Sequence, residues 1–298
     1  MSEQVDEFRS GFVAIVGRPN TGKSTLLNAL VGEKIAITST RAQTTRRAIR
    51  GIVHRPDGQV ILVDTPGIHK PKTLLGERLN ALVAQTYADV DLILCCLPAD
   101  EEIGPGDKRI ISEISGSIPL IAVVTKSDRV APATLMAKLA SVGALAQWKE
   151  IIPVSAKKYF QIEKLCSLLI AHLPKGPALY PEDYISEESE RDTYSELIRE
   201  AALELLSDEL PHSLMVTIEE IGVGDDGKTP IIYGKIFLER DSQKKILLGK
   251  SGERIKEIGI KARQAIEKYR GERVFLQLHV GIESEWQRNP RALEKFGF

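Results

Sequence analysis

The sequence predicts an α/β domain with a mostly parallel sheet covered on both faces, followed by a smaller α+β domain. Five short apolar runs rich in β-branched residues are each followed by turn residues and a helical pattern, as in parallel sheets. This alternation ends near Leu173, where a Pro- and Gly-rich stretch begins. Beyond that stretch the apolar spacing follows the order α-β-β-α-α-β. A length of 298 residues also favours two domains.

The predicted elements follow from these patterns. The first domain should contain strands over residues 12–16, 60–63, 91–97, 120–124 and 151–154. In the second domain we expect a helix over 190–206, strands over 214–221, 231–238 and 274–280, and a helix carrying Ile255, Ile258, Ala262 and Ile266. We place the first domain at residues 1–175, a linker at 176–189 and the second domain at 190–298.

The formal net charge of −1 hides an asymmetry along the chain. Residues 182–209 contain eleven Asp/Glu and two Lys/Arg, whereas residues 240–273 contain eleven Lys/Arg and five Asp/Glu. The basic stretch suggests an anionic partner, although a solvated helix face would carry the same charges.

The three cysteines, Cys95, Cys96 and Cys166, lie in apolar patterns without metal-binding or disulfide spacing. We expect buried thiols in a reducing compartment. The polar N-terminus is unlike a signal peptide, and no apolar run is long enough to span a bilayer. These features predict a cytoplasmic protein, which we expect to be a monomer, and leave peripheral contact with the inner face of the cell membrane open.

A phosphate-binding loop follows the first predicted strand. Residues 17–24 fit the pattern G-x-x-x-x-G-K-[ST] and open a helix, which is the context that this pattern requires. Backbone N–H groups of such a loop surround phosphates, Lys23 should reach the β- and γ-phosphates, and the Ser24 hydroxyl should bind Mg²⁺. The predicted loop comprises Gly17, Arg18, Pro19, Asn20, Thr21, Gly22, Lys23, Ser24 and Thr25.

Three further segments, each at the end of a predicted strand, favour GTP over ATP. The acid of Asp64-Thr65-Pro66-Gly67 can hold Mg²⁺ through water, and its glycine N–H can sense a γ-phosphate. In Thr125-Lys126-Ser127-Asp128, the carboxylate can accept hydrogen bonds from N1–H and the 2-amino group of guanine, and adenine lacks both donors. Such a mismatch discriminates by about 10⁴-fold or more. Ser155-Ala156-Lys157 can close over the base, since ligands of α/β sheets bind at the carboxyl ends of strands.

Residues between the loop helix and the second predicted strand can complete the metal site. A threonine hydroxyl of Thr44-Thr45-Arg46 would bind Mg²⁺ with GTP present and release it after hydrolysis, which makes this segment a switch. We favour Thr45 over Thr44. The predicted metal ligands are therefore Ser24, Thr45 and Asp64, and the predicted catalytic residues are Lys23, Asn20 and Thr45.

These motifs resemble the translation-factor-like class of GTPases and, within it, the Era family over nearly the whole chain. The resemblance rests on residues 17–25, 35–46, 64–80 and 155–157, on the block from Lys244 onward, and on the ending with Trp286, Leu293 and Phe296-Gly297-Phe298. It implies a GTPase domain joined to a type II KH domain, which binds the 3′ end of 16S rRNA and assists assembly of the 30S subunit.

One residue departs from the family pattern. The guanine motif of such GTPases usually begins with Asn, whose side-chain amide braces the phosphate loop and the base, and here the residue is Thr125. A threonine hydroxyl can donate one such bond, so we expect weaker bracing with specificity retained through Asp128.

The resemblance also bears on hydrolysis. Ras-like proteins carry a Gln near the position of Ile68 to orient the attacking water, and Ile68 cannot do so. Intrinsic hydrolysis should therefore be slow. Related GTPases with Pro-Asn in the phosphate-binding loop use that Asn to hold K⁺ where an arginine finger would sit. This makes Asn20 a candidate to hold K⁺. Arg46, Arg47 and the bound RNA or ribosome are alternatives. The expected cofactors are GTP or GDP and Mg²⁺, with K⁺ as a candidate.

The second domain contains a G-x-x-G loop between two helices, at residues 249–252. Such a loop lets a sugar-phosphate backbone approach closely and clamps about four nucleotides in KH domains. The predicted RNA-binding residues are Lys244, Lys245, Gly249, Lys250, Ser251, Gly252, Arg254 and Lys261, with Arg263 adding charge. We expect Tyr269 and Phe275 in the core, and apolar groove contacts from Ile246, Leu247, Ile255 and Ile258.

Two other classes of protein remain open on the residues alone. A small-molecule P-loop kinase or ATPase would prefer ATP, and Asp128 argues against it. A regulatory GTPase could use its second domain to bind protein or membrane and not RNA. Loss of RNA binding on changing Lys250 and Ser251 to acidic residues would argue against that class, and full retention would mean that the RNA site is misassigned.

Overall fold

In the computed structural model of the chain, the structure describes residues 8–39, 44–68, 71–114, 116, 118–206 and 210–298. The chain forms two compact units, the larger made mainly of residues 8–187 and the smaller mainly of Glu188–Phe298. The limits given above for the first domain (1–175), the linker (176–189) and the second domain (190–298) stay a prediction.

The larger unit contains a six-stranded sheet in the order β2-β3-β1-β4-β5-β6. Its strands are β1 (Arg9–Val16), β2 (Ile49–Arg55), β3 (Gly58–Asp64), β4 (Leu92–Pro98), β5 (Leu120–Thr125) and β6 (Glu150–Pro153), and its helices are α1 (Lys23–Val31), α2 (Leu74–Ala88), α3 (Pro105–Ile114), α4 (Pro132–Gly143) and α5 (Ile162–His172). All neighbouring strands pair in parallel except β2, which pairs antiparallel with β3. The predicted fold class is confirmed.

Strand β2 was missed at the sequence level because its Arg, Gly and His residues interrupt the apolar pattern. Its Gly51 lies against helix α1 and its flank, and a Cβ there would lie 2.5 Å from Ile35 and 2.8 Å from Val31. A larger residue would have to displace these side-chain methyl groups, since real Cβ contacts are longer, and glycine avoids that repacking.

Side chains of the central strands alternate between two apolar cores, one on each face of the sheet. Val13 and Ile15 belong to one core, and Ala14 and Val16 belong to the other. Cys95 and Cys96 divide between the two faces in the same way, and all three cysteines are buried and free, as predicted. Burial raises the pKa of Cys96 to about 12, so this thiol stays protonated at neutral pH.

Part of the predicted linker pairs with the sheet of the larger unit. The side chain of Gln59, only 1% exposed, accepts hydrogen bonds from Leu179 N (2.6 Å) and Tyr180 N (2.9 Å) and donates to Tyr180 O (2.7 Å). Ile52 N donates to Ile185 O at 2.9 Å. These bonds satisfy a buried amide, so this stretch is an ordered strap along β2 and β3.

The smaller unit has the predicted α-β-β-α-α-β order with two short helices added. Its elements are α6 (Glu190–Leu205), α7 (Leu210–Ser213), β7 (Met215–Val223), β8 (Pro230–Leu238), α8 (Asp241–Leu248), α9 (Glu253–Arg270), β9 (Phe275–Ile282) and α10 (Pro290–Lys295). Strand β8 is central, antiparallel to β7 and parallel to β9. The fully buried Trp286 donates from Nε1 to Ser213 O at 2.7 Å.

Within the described residues, none of the helices combines the length and the apolar character that crossing a membrane requires.

Candidate functional site

The phosphate loop lies between the end of β1 and the start of α1, as predicted. Gly17 has φ 151°, and a Cβ there would lie 2.8 Å from Cys96 O. Gly22 has φ 94° and caps α1, so the N–H groups of the first helical turn face the loop. Both glycines are needed for the conformation that brings these donors to an anion.

Lys23 is 6% exposed, and its Nζ donates to the carbonyl oxygens of Gly17 (3.2 Å) and Arg18 (3.0 Å). Burial lowers the pKa of Lys23, and the nearby Asp64 carboxylate opposes this shift. A polyphosphate beside the ammonium group would favour its charged form.

The three predicted metal ligands lie together. Ser24 Oγ donates to Asp64 Oδ2 at 2.6 Å and lies 3.0 Å from Thr45 Oγ1, which is 3.3 Å from the same carboxylate oxygen. The other oxygen, Asp64 Oδ1, is buried without a hydrogen-bond partner among the described residues, and burial raises the pKa of this carboxyl. Two hydroxyls and a carboxylate are the hard oxygen ligands that Mg²⁺ prefers, so this cluster fits the ion.

The segment after β3 packs against the phosphate loop. Thr65 Oγ1 donates to Ile15 O at 2.9 Å, which ties the segment to β1. A Cβ on Gly67 would lie 2.7 Å from Pro19 N, so this glycine is required for the close approach. Ile68 packs against an apolar core and has no group that orients water.

Thr125 forms the single bracing bond expected of it. Its Oγ1 donates to Thr21 O at 2.6 Å, which connects the guanine motif to the phosphate loop. The hydroxyl proton is used in that bond, and an asparagine amide would have a second N–H to offer.

The residues predicted to contact the base also converge. Asp128 is exposed, and its Oδ1 accepts from Ser155 Oγ at 2.6 Å. This bond orients the carboxylate while Oδ2 stays available to a ligand. Lys126 has φ 56°, a left-handed conformation that bends the chain between Thr125 and Asp128.

An acidic residue that the sequence analysis missed connects the two motifs. Glu101 Oε2 accepts from Arg18 NH2 at 3.1 Å, and Glu101 Oε1 accepts from Lys126 Nζ at 3.1 Å. Arg18 is also held by the buried Asp107, at 2.8 Å from its Nε. One signal in the sequence could have identified Glu101: an acidic residue just beyond the carboxyl end of β4, where ligands of such sheets bind.

We expect Glu101→Gln to weaken GDP and GTP affinity by a similar factor of about fivefold, with kcat nearly unchanged. Two partly exposed ion pairs contribute about 1 kcal/mol together, and they position ground-state contacts. Dissociation rates of fluorescent GDP and GTP analogues would measure the effect. The exposed neighbour Glu102→Gln is the matched control, and equal affinities in the two variants would remove Glu101 from the site.

The G-x-x-G loop lies between α8 and α9. Gly249 has φ 72°, and a Cβ there would lie 2.9 Å from Arg254 Cβ. Ser251 (φ 50°) and Gly252 (φ 82°) also have left-handed backbones. Lys250 and Ser251 are exposed at the tip. The loop therefore presents backbone groups and one cation to an approaching ligand.

The predicted basic residues differ in how far their charge is neutralised. Lys261 pairs with Glu204 at 2.7 Å, and Arg263 pairs with Glu267 at 2.8 Å. Arg254 NH1 donates to Ile246 O at 3.3 Å. In the described part of the chain, no acidic side chain pairs with Lys244, Lys245 or Lys250. The lysines without an acidic partner among the described residues thus lie in α8 and at the tip of the loop, where their charge is available to an anion.

Two predictions about this surface were wrong. Tyr269 is 48% exposed and Phe275 is 54% exposed, because Tyr269 lies in the last turn of its helix and Phe275 begins an edge strand. Leu247 and Ile258 are fully buried core residues, so only Ile246 and Ile255 of the four predicted apolar contacts reach the surface.

Comparison with known proteins agrees with this geometry. A family model described as "50S ribosome-binding GTPase" matches residues 12–126, and one described as "KH domain" matches residues 209–287. GTPase Era of Mycolicibacterium smegmatis is 54% identical over 98% of this chain and 99% of its own length. GTPase Era of Streptomyces coelicolor is 52% identical over 97% and 95%.

Two solved structures match over 97% of this chain and 99% of their own. A single-residue variant of Aquifex aeolicus Era bound to GDP·AlF4⁻ is 37% identical with a TM-score of 0.94. Era in complex with MgGDPNP and nucleotides 1506–1542 of 16S rRNA is 38% identical with a TM-score of 0.92.

The fold and the site thus define a P-loop GTPase joined to a KH domain. Within this class, the relatives that match over nearly the full length identify the family. The chain belongs to the Era family of GTPases. Residues 40–43 and 69–70, which contribute to the predicted resemblance, lie outside the described residues.

Proposed function

We propose that this chain hydrolyses GTP as a switch that binds the 3′ end of 16S rRNA and assists assembly of the 30S subunit. The observation that carries the proposal is its match, over 97% of the chain, to an Era structure holding MgGDPNP and nucleotides 1506–1542 of 16S rRNA. The Ser24, Thr45 and Asp64 cluster and the G-x-x-G loop support it from this chain's own residues.

In this proposal the chain works by positioning and charge. Lys23 and the N–H groups at the start of α1 hold the β- and γ-phosphates, and Asp128 reads guanine. Ser24, Thr45 and Asp64 would hold Mg²⁺, which neutralises charge on the phosphate oxygens when bound. Thr45 belongs to the segment before β2, so its release after hydrolysis would change that segment.

Because we expect intrinsic hydrolysis to be slow, a cation near the γ-phosphate could accelerate it. We propose that Asn20, which is exposed and has φ 65°, holds K⁺ there. We expect kcat to be at least about tenfold higher in K⁺ than in Na⁺, because a charge at an arginine-finger position stabilises the transition state.

Steady-state GTP hydrolysis in matched K⁺ and Na⁺ buffers measures this effect. Asn20→Ala should abolish the difference with nucleotide affinity retained. Equal rates in the two buffers would remove K⁺ from the mechanism.

The proposed function is tested by RNA affinity at one fixed salt concentration, with GDP and then with a non-hydrolysable GTP analogue. The probes are a 16S rRNA 3′-end oligonucleotide and a scrambled one of equal length. We expect tight, sequence-selective binding that changes with the nucleotide. Weak binding that is equal for both probes and both nucleotides would contradict the rRNA assignment.

We further propose that the chain acts as a monomer in the cytoplasm, with any membrane contact peripheral at the inner face of the cell membrane. Sedimentation velocity tests the first point, and co-sedimentation with anionic vesicles tests the second.

A further inference from the structure

A tight hairpin follows β6 and lies next to the guanine motif. Ser155 and Phe160 exchange both backbone hydrogen bonds, at 3.2 and 3.0 Å, and enclose a four-residue loop. Ser155 Oγ accepts from Lys158 N at 3.2 Å and donates to Asp128 Oδ1. These hydrogen bonds hold the hairpin against the residue predicted to read guanine.

This hairpin exposes two aromatic side chains, Tyr159 in its loop and Phe160 in the backbone pair that closes the loop. Tyr159 is 64% exposed and Phe160 is 50% exposed, in a chain with 5% aromatic residues. Tyr159 has φ 52°, a left-handed conformation that a bulky side chain adopts only with strain and glycine adopts without it. A strained, exposed aromatic residue contributes nothing evident to folding, and such strain is typical of sites that bind a ligand.

The charges around the rings identify the chemistry of that ligand. Lys157, Lys158 and Lys164 are all exposed and close in sequence to the aromatic pair. The acidic residue among them, Glu163, is paired with Arg55 at 2.6 Å. Exposed aromatic rings bordered by exposed lysines are the combination that binds single-stranded RNA, with bases stacked on the rings and phosphates on the cations.

We propose that residues 157–160 form a second RNA-binding site, on the GTPase domain and separate in sequence from the G-x-x-G loop. The site takes single-stranded RNA by stacking, without sequence preference, since every base has a π-face. This inference rests on the proposed function in so far as the RNA partner is ribosomal. Ser155 connects the hairpin to Asp128, so RNA bound there is linked to the residue that reads guanine.

Tyr159→Gly tests the site because it removes a ring and the backbone strain together. We expect the melting temperature to stay equal or rise, while affinity for a fluorescein-labelled 15-nucleotide oligouridylate falls at least about fivefold, as expected for one lost stacking contact. Phe160→Ala should show a similar loss. Met136→Ala, which removes a 66% exposed apolar side chain from α4 of the same domain, is the control and should bind normally.

Photocrosslinking gives a positional test on the unmodified full chain. Oligouridylate carrying 5-iodouridine should crosslink to the peptide that contains Tyr159 and Phe160. Unchanged oligouridylate affinity in both variants would overturn the proposal, and reduced binding to 30S subunits alone would assign the hairpin to a protein partner instead. If the wild-type chain fails to bind the 16S rRNA 3′-end probe while hairpin variants still lose oligouridylate binding, the rRNA assignment fails and the hairpin site stands.

Discussion

Asp128→Asn is expected to lower GTP affinity by about three orders of magnitude and to make XTP the preferred nucleotide. The carboxylate accepts from N1–H and the 2-amino group of guanine, and an asparagine amide would place an N–H donor against that amino group. Mismatched polar groups that a ligand buries discriminate by about 10⁴-fold, and we expect about three orders here because Asp128 is exposed in the free chain. Xanthine carries a carbonyl in place of the amino group, so the amide can donate to it.

Displacement of a bound fluorescent nucleotide by GTP, XTP or ATP would measure the change of preference from GTP to XTP. Ser155 Oγ, which donates to Asp128 Oδ1 in the native chain, can donate equally to an asparagine oxygen, so the hairpin should keep its place. Asp89→Asn, an exposed aspartate of the same domain, is the matched control. Retained GTP preference in Asp128→Asn would mean that another group reads the base.

The second large effect concerns the G-x-x-G loop. The double change Lys250→Asp and Ser251→Asp should lower affinity for the 16S rRNA 3′-end probe by at least about a hundredfold, because it places two carboxylates where phosphates approach. Folding should be preserved, since both side chains are exposed and aspartate tolerates the left-handed backbone of Ser251. Intrinsic GTP hydrolysis should be unchanged.

Filter binding over a range of salt concentrations shows whether the lower RNA affinity comes from lost phosphate contacts. The slope of log K against log salt should become shallower in the double variant, because fewer counterions are released. Lys228→Asp in the exposed β7–β8 turn is the control for charge reversal in the same domain. A double variant that binds RNA with native affinity would place the RNA site elsewhere.

Much of this molecule was predictable because its strands are nearly all apolar and its ligands lie at strand ends. The runs at β1, β3, β4, β5 and β6 identified the parallel sheet, and because these strands are parallel, their carboxyl ends meet at one edge. The spacing of a loop motif is local, so Gly17, Gly22 and Lys23 could be assigned from sequence alone. Thr125 was expected to donate one bracing bond, and the structure supplies its acceptor, Thr21 O.

Other features depend on contacts between distant parts of the chain. Strand β2 and the strap over residues 179–187 pair through backbone hydrogen bonds, which leave little trace in side-chain pattern. Glu101 bridges Arg18 and Lys126, which lie 83 and 25 residues away in sequence. The acidic run Asp100-Glu101-Glu102 does not by itself show which carboxylate makes that bridge.

The sequence by itself determined the class of domain, the nucleotide motifs and the G-x-x-G loop, because each depends on residues adjacent in the chain. The tertiary structure decided that Thr45 joins Ser24 and Asp64, that Tyr269 and Phe275 are exposed, and that Tyr159 and Phe160 are exposed in a hairpin whose Ser155 bonds Asp128. These outcomes depend on burial and on distances between remote residues. Both arise only when the strands and helices pack, because local periodicity cannot say which side of an element its neighbours will cover.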